Sequence, residues 1–572
     1  MTSLIKSIAL KNFKGFSEEV RIDLRPITLL FGANSAGKSS VLHALQYVRE
    51  ILERNNSNAD RTLQGGDAID LGGFLNLVHG RDSERQIEIE LEMLLGTESI
   101  PELVPEAFEE WQTSDSDVWQ FYDTLQQIRR RVDAVSVRLI VGWSPYREAP
   151  VVQGYHVATN GEWCVKFESS KDGRDTRMRL NSENPIFMEE HEAVDDVDLG
   201  LLDDWLDPKD FQQTHPPSLD IEDSVPEIPQ DGSANKTVLV SVLGDLFSAV
   251  KDAGLEKPGD GLRAWLTQVS GALPRLDQLL SIPAPGAVGA ENVYIAREFT
   301  AFLSWLTVGP AVLLRDQLRK LRYIGPLRRI PPRGFDVSLT KSESAWSDGM
   351  AGWETLMTGP QRLLDECSDW MVNPEKLATG YSLERRSVQE CDMSQPVPLP
   401  VGRPKTKVAL IDGNGLRLQP QDVGVGISQV LPVVVAAQDN NGSLVCIEQP
   451  ELHIHPAVQV GLGDLFVDGA LHKRLSFLIE THSEHLVMRL QRRLRESAGG
   501  NLPDGVAAVS PGDVNLLYLH RNDAGAIMGT SIGLTDEGKF TNAWPAGFFP
   551  ERTKEVLPPH VREQLRKGGG GK

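Results

Sequence analysis

Hydrophobic and polar positions alternate at the start of the chain, so Leu4–Leu10 and Val20–Leu24 read as half-buried strands. Ile27–Phe31 is instead a short, largely apolar run, the pattern of a strand covered on both faces. The stretch Gly32–Ser40 follows, and then a run with helical period, VLHALQYVREILE. Gln86–Leu95 alternates again beyond a glycine-rich connection at Gly65–Gly73. The period turns helical from 96 to 135, with Trp111, Trp119, Phe121 and Tyr122 along it. Val135–Trp143, Val151–Val157, Trp163–Phe167 and Thr176–Leu180 predict strands, parted by turn dipeptides such as Asn160-Gly161 and Asp172-Gly173. Residues 237–321 return to helical period with breaks at Pro274 and Pro283–Pro285, and 345–376 predict helix as well. Strands are expected again at Val408–Ile411, Leu416–Leu418, Ser443–Ile447, Leu475–Ile479 and Val514–Leu519. The sum is an α/β chain.

Composition narrows the classes. The 572 residues are 40% hydrophobic and 24% charged, ordinary for a globular protein of several domains. The longest apolar stretch, Phe302–Leu314, is broken by Gly309 and Pro310, and the N-terminus lacks the continuous apolar core of a signal peptide. Both features argue against membrane insertion and Sec export. The four cysteines are far apart and form no CxxC, which points away from a disulfide framework or zinc site and makes the cytoplasm the simplest compartment. The net charge of −22 argues against a nucleic-acid footprint over the whole chain, but residues 181–240 hold 16 acidic and 2 basic residues. That window has prolines and few aromatics; a solvated loop, a DNA mimic and a docking surface for a basic partner are its competing readings. The final GGGGK reads as a flexible tail.

Gly32–Ser39 matches GxxxxGK[ST] between a predicted apolar strand and a helix. In such a loop backbone N–H groups gather around phosphates at a helix N-terminus. Asn34, Ser35, Ala36, Gly37, Lys38, Ser39 and Ser40 are therefore the candidates for holding a nucleoside triphosphate. Lys38 would bridge the β- and γ-phosphates and the Ser39 hydroxyl would coordinate Mg²⁺. A carboxylate from a second strand completes such a site, and Ser443–Ile447 ends at Glu448, followed by Gln449-Pro450-Glu451-Leu452-His453-Ile454-His455-Pro456. Upstream lies Asp422-Val423-Gly424-Val425-Gly426-Ile427-Ser428-Gln429, where Ser428 is placed to N-cap an apolar helix running to Gln438. Downstream, Leu475–Ile479 runs into Glu480-Thr481-His482-Ser483-Glu484-His485. His453 and His455 have no third ligand nearby and read as structural.

These three elements in this order resemble the signature helix, Walker B strand and switch histidine of ABC-type ATPases. Lys38 and Ser428 are 390 residues apart, a split that resembles the SMC, RecF and OLD-like branch, in which an insertion interrupts the ATPase head. Lys11-Asn12-Phe13-Lys14-Gly15-Phe16 is similar to that branch's N-terminal hairpin, and Lys14 resembles a basic residue near the nucleotide in SMC-type heads, a solvated surface lysine being the alternative. The motifs GxGxSQxLP, EQPExHxHP, THSEHL, Tyr323-Ile324-Gly325-Pro326-Leu327-Arg328 and Trp544-Pro545-Ala546-Gly547-Phe548-Phe549 resemble a family of prokaryotic ABC-type AAA ATPases. Related ATPases serve in anti-phage systems such as Septu, where an ATPase partners a nuclease.

The resemblance implies an ABC-type P-loop head built from two chain segments, 1–95 and 321–550, with a mixed β and α-helical insertion at 96–320 and a tail at 551–572. It implies ATP and Mg²⁺ as cofactors, with Ser39 and Glu448 on the metal side. It also implies a homodimer or higher oligomer in which Gly424, Gly426 and Ser428 of one head face the P-loop nucleotide of the other. Two positions depart from the pattern. Glu448 stands where Asp is usual, and Gln449 stands where the catalytic glutamate is usual. Glutamine cannot act as a general base, so hydrolysis is expected to be slow, with Gln449 orienting water or Glu451 or His482 taking over. The expected function is an ATPase whose head dimerisation regulates a separate effector, a nuclease in anti-phage defence. The rival readings are a repair or chromosome-maintenance ATPase that binds duplex DNA directly, and a stand-alone regulatory NTPase.

Overall fold

The computed structural model describes residues 4–55, 71–103, 127–174, 176–181, 184–187, 262–265, 271–280, 290–333, 335, 337, 343–392, 394 and 396–544. Nearly all of the acidic window, Trp111 through Tyr122, the motif beyond Trp544 and the tail lie outside the described residues. The chain forms strands β1 (Ile5–Lys11), β2 (Val20–Asp23) and β3 (Ile27–Gly32), helix α1 (Lys38–Glu53), the short α2 (Phe74–Leu77) and β4 (Ile87–Leu94). Then come β5 (Ala134–Ser144), β6 (Ala149–Thr159), β7 (Glu162–Ser169), β8 (Thr176–Leu180), β9 (Leu262–Trp265), α3 (Ala290–Arg319) and β10 (Arg322–Ile324). Helices α4 (Met350–Thr358) and α5 (Gln361–Val372) lead to β11 (Ser382–Asp392), β12 (Leu399–Ile411) and β13 (Arg417–Leu418). The last stretch holds α6 (Val425–Gln438), β14 (Leu444–Glu448), α7 (Pro456–Leu471), β15 (Ser476–Glu480), α8 (Glu484–Gly499), β16 (Val514–Arg521) and β17 (Ile527–Ile532).

A six-stranded sheet in the order β10-β14-β15-β3-β16-β17 organises the site. Its first five strands run parallel and β17 closes the edge antiparallel. Leu30, Cys446, Leu478 and Leu519 point to one side, into a core shared with α1 and the antiparallel strands. Leu29, Ile447, Ile479 and Leu516 point to the other, against α4 to α8. Burial on both faces explains why β3, β14 and β15 read as largely apolar runs and not as alternating ones. The sheet takes β3 from the N-terminal segment and its other strands from beyond residue 321, so the α/β P-loop head is built from two chain segments, as expected.

The second sheet is antiparallel, in the order β2-β1-β4-β5-β6-β7-β8-β9. Ile87, Ile89, Leu91 and Met93 of β4 face inward, while Glu88 pairs with Lys11 and Arg138 on the outer face. Because β4 pairs with β5 along its whole length, the division expected near residue 96 falls inside this sheet and not between two bodies. Hydrogen-bonded strand edges leave no seam there. Residues 262–265, read as helical from sequence, form β9 on the sheet edge.

The sequence pattern missed the β11–β12 hairpin, predicting only its inner end at Val408–Ile411. Its outer half is exposed, including Arg386–Val388, Glu390–Asp392 and Leu399–Pro404, so no buried face imposes alternation there. Cys164, Cys367 and Cys446 are buried, Cys391 is exposed and all four are free. Among the described residues no helix is long and apolar enough to cross a membrane.

Candidate functional site

The P-loop leaves the C-terminal end of the central strand, β3, where ligands of parallel sheets gather. Gly37 precedes α1 with φ of 92° in the left-handed region, and a Cβ there would lie 2.8 Å from Ile527 Cδ1 and 3.2 Å from the Phe16 ring. Only glycine meets both demands. Lys38 is 4% exposed and its ammonium folds back over the loop, donating to the carbonyls of Gly32 at 3.2 Å and Ala33 at 3.1 Å. Burial lowers its pKa, while Glu480, Glu451 and Glu448 act in the opposite sense.

The structure adds a residue that the motif reading passed over. The Ser39 hydroxyl donates to Glu480 Oε2 at 2.6 Å, and Lys38 Nζ stands 3.8 Å from Glu480 Oε1. Glu480 ends β15, which lies between β3 and β14, so it is the carboxylate nearest the P-loop strand. Burial raises its pKa, and the neighbouring Glu448 adds to that rise. Glu448 ends β14 one strand further away, directly beside Glu480 in register. Its Oε1 accepts from Tyr323 Oη at 2.7 Å and faces His43 Nε2 at 3.4 Å. Burial and the adjacent Glu448 push the Tyr323 phenol up, so it stays a donor. Lys14 Nζ donates to His43 Nδ1 at 2.6 Å; it is not a solvated surface lysine, and burial lowers its pKa. The carbonyl of Lys14 is in turn held by His79 Nδ1 at 2.8 Å.

The donor set suits Mg²⁺, a hard cation that takes oxygen ligands and keeps several waters. Ser39, Glu480 and Glu448 would supply a hydroxyl and two carboxylates beside a phosphate-binding loop. Among the described residues no group of three or more His, Cys, Asp or Glu is placed to hold a metal by itself.

The remaining candidates gather on the loops that follow β14 and β15. Gln449 is half-buried with φ of 44°, a left-handed conformation that is strained for a side chain with a Cβ. Its N–H donates to Glu480 O at 2.8 Å. Glu451 uses both oxygens on the neighbouring turn, accepting from Thr481 Oγ1 at 2.8 Å and from the His482 N–H at 2.7 Å. Burial raises the Glu451 pKa against the pull of those donors. The His482 side chain is exposed, and desolvation and then the Lys38 charge lower its pKa.

Ser428 departs from its expected role as a helix cap. Helix α6 begins at Val425 with Gly424 as N-cap, and Ser428 lies one turn inside, 1% exposed, donating to Pro420 O at 3.1 Å. Gly424 and Val425 are the exposed part of the signature turn. Gly426 packs against the loop after β14: a Cβ there would sit 2.6 Å from His453 O. A signal for Glu480 was present in the chain, because SFLIE and LVCIE are the same apolar run ending in glutamate.

Residues 4–126 match the family model described as "AAA ATPase domain". Residues 325–489 match the one described as "AAA domain, putative AbiEii toxin, Type IV TA system". No curated protein matches the chain. Similar solved structures include an SMC head bound to the C-winged helix domain of ScpA, at 12% identity over 93% of this chain and 98% of that one, with a TM-score of 0.34. The SMC head domain from Thermotoga maritima is 8% identical over 93% and 100%, with a TM-score of 0.34. An Smc head with an extended coiled coil, bound to the C-terminal domain of ScpA derived from Pyrococcus furiosus, is 11% identical over 98% and 99%, with a TM-score of 0.33. At these scores the likeness carries no argument about activity or partners.

Proposed function

We propose that this P-loop ATPase is a slow, nucleotide-gated switch whose heads engage through their signature turns and regulate a separate effector, a nuclease in anti-phage defence. The observation that carries the slow step is the residue after β14. Gln449 occupies the place from which a glutamate would take a proton from water, and an amide cannot do so. Glu451 has each oxygen accepting one donor of the Thr481–His482 turn, and those two bonds work against its taking a proton. His482, exposed and with its pKa lowered by desolvation and the Lys38 charge, is the other base available.

Within the chain, the P-loop amides and Lys38 bind and orient the triphosphate, and Ser39 with the two strand-end carboxylates holds the cation side. Bound Mg²⁺ would neutralise charge developing on the phosphates. Exposed Gly424 and Val425 support engagement in trans, because the second head would approach through that turn. The effector rests on the resemblance of the sequence motifs to defence ATPases, and on the toxin–antitoxin wording of the family model matched by 325–489.

Phosphate release is the test. Lys38→Ala should bind and hydrolyse no ATP, and Gln449→Glu should hydrolyse faster than wild type. A Gln449→Glu protein no faster than wild type refutes the glutamine-limited step. Copurification of a nuclease from the natural host supports the effector reading. A steep loss of duplex-DNA affinity with salt, without any partner, would favour direct DNA binding instead.

A further inference from the structure

The segment after β10 carries one buried cation that the nucleotide chemistry above does not use. Arg328 is 3% exposed. Its Nη2 donates to Glu448 O at 2.7 Å and reaches Gln449 O at 3.3 Å, so it grips both peptide carbonyls of the strained turn. Its Nε and Nη1 meet no acceptor among the described residues. Burial of the guanidinium lowers its pKa to about 10. Buried donors left unpaired oppose folding, so the two carbonyl contacts made by Nη2 are what a guanidinium supplies at this position.

The backbone of the same residue is clamped from the opposite side. Gln429, one turn into α6, accepts from the Arg328 N–H at 3.1 Å through Oε1 and donates through Nε2 to Arg328 O. The segment has little freedom elsewhere: Gly325 N–H donates to Ser347 O at 2.9 Å and Arg329 N–H to Asp348 O at 2.7 Å. Tyr323, on the strand leading into it, holds the Glu448 carboxylate. A short, pinned segment thus touches the signature helix with its backbone and the Glu448–Gln449 turn with its side chains.

We propose that Arg328 is a positioning residue through which the signature helix α6 sets the conformation of the Glu448–Gln449 turn of its own chain. The proposal deepens the ATPase reading and rests on it. A head whose signature turn is engaged by a second head would then present its own strand-end carboxylate and Gln449 differently from a free head. Coupling of this kind needs a physical link that both sites bias, and the Gln429–Arg328–Gln449 chain of hydrogen bonds is one.

The test is a double-mutant cycle in the full-length protein with Arg328→Lys, Gln429→Ala and the pair. Lysine keeps the charge but loses the fork that spans two carbonyls. Each single change is expected to lower kcat about 10- to 100-fold while ATP affinity stays within about twofold, because Lys38 and the P-loop are untouched. The pair should be no slower than the slower single variant. Losses that multiply, or an ATP affinity that weakens in step with kcat, overturn the proposal. If the wild type hydrolyses no more than Lys38→Ala, the ATPase reading fails by itself. Amide hydrogen exchange still decides the link in that case. Gln429→Ala must speed exchange at Gln449 and Leu452, and unchanged exchange there overturns it.

Discussion

Replacing Glu480 by glutamine removes a charge and little else, because the amide oxygen still accepts from Ser39. At the observed 3.8 Å, Lys38 and Glu480 attract by about 4 kcal/mol for an effective dielectric of 20. Desolvation of two groups that are 4% and 7% exposed cancels much of this. Glu448 and Glu451 also act on the same ammonium, so the net share of Glu480 is about 1–2 kcal/mol. A triphosphate that takes Lys38 must displace this share. Glu480→Gln should therefore bind metal-free ATP about tenfold more tightly, the equivalent of about 1.4 kcal/mol. The same change removes a hard anionic oxygen from the cation side, so the Mg²⁺ concentration that half-saturates its effect on binding should rise about tenfold. Titration with a fluorescent ATP analogue, in EDTA and across a Mg²⁺ series, reads both arms without hydrolysis. Binding in EDTA within about twofold of wild type, with an unchanged Mg²⁺ requirement, would refute the argument that Glu480 faces both Lys38 and the metal.

Tyr323→Phe strips a donor from the Glu448 carboxylate; unfolding in urea should show a loss of about 2 kcal/mol, and hydrolysis should slow with ATP affinity unchanged. Gly426→Ala places a Cβ 2.6 Å from His453 O, so the melting temperature should fall by an amount equivalent to about 1–3 kcal/mol, and an unshifted melt would contradict the close approach. His156 is half-buried in the antiparallel sheet; desolvation and then Lys166, Arg138 and Arg179 work against its charged form while Glu88 favours it, so its pKa falls from 6.5 to about 4. A depressed pKa stabilises the fold above pH 6.5 and loses that contribution as pH falls toward 4, about 2 kcal/mol of it by pH 5. His156→Gln should lose less stability than wild type between pH 7 and pH 5 in urea titrations, and equal losses would count against the assignment.

How much of this molecule could be read from the chain depended on burial. The strands of the parallel sheet were legible because both faces are covered, which turns Ile27–Phe31 and Ser443–Ile447 into apolar runs of strand length. The antiparallel strands were legible for the opposite reason: one face of β4 is buried in the core while the other carries Glu88, Glu90 and Glu92. The outer β11–β12 hairpin has neither kind of face, and its register is set by hydrogen bonds between strands that sequence periodicity does not register.

The site shows a different limit. The strand-end motifs lie beside the P-loop, since phosphate loops and strand-end carboxylates are local devices. Strand order is not local. Glu448 and Glu480 end equivalent runs 32 residues apart, and nothing in either run says which strand lies beside β3. The sheet answers that by placing β15 between β3 and β14, so the serine and lysine of the P-loop meet Glu480 first, and Glu448 is left to Tyr323 and His43. Ser428 was misread by the same logic on a smaller scale. Its type favours a cap, but Gly424 starts the helix four residues earlier, and the hydroxyl turns inward to Pro420 O. Residue type thus specified which chemistry is present. The order of the strands determined which carboxylate the P-loop hydroxyl and ammonium reach.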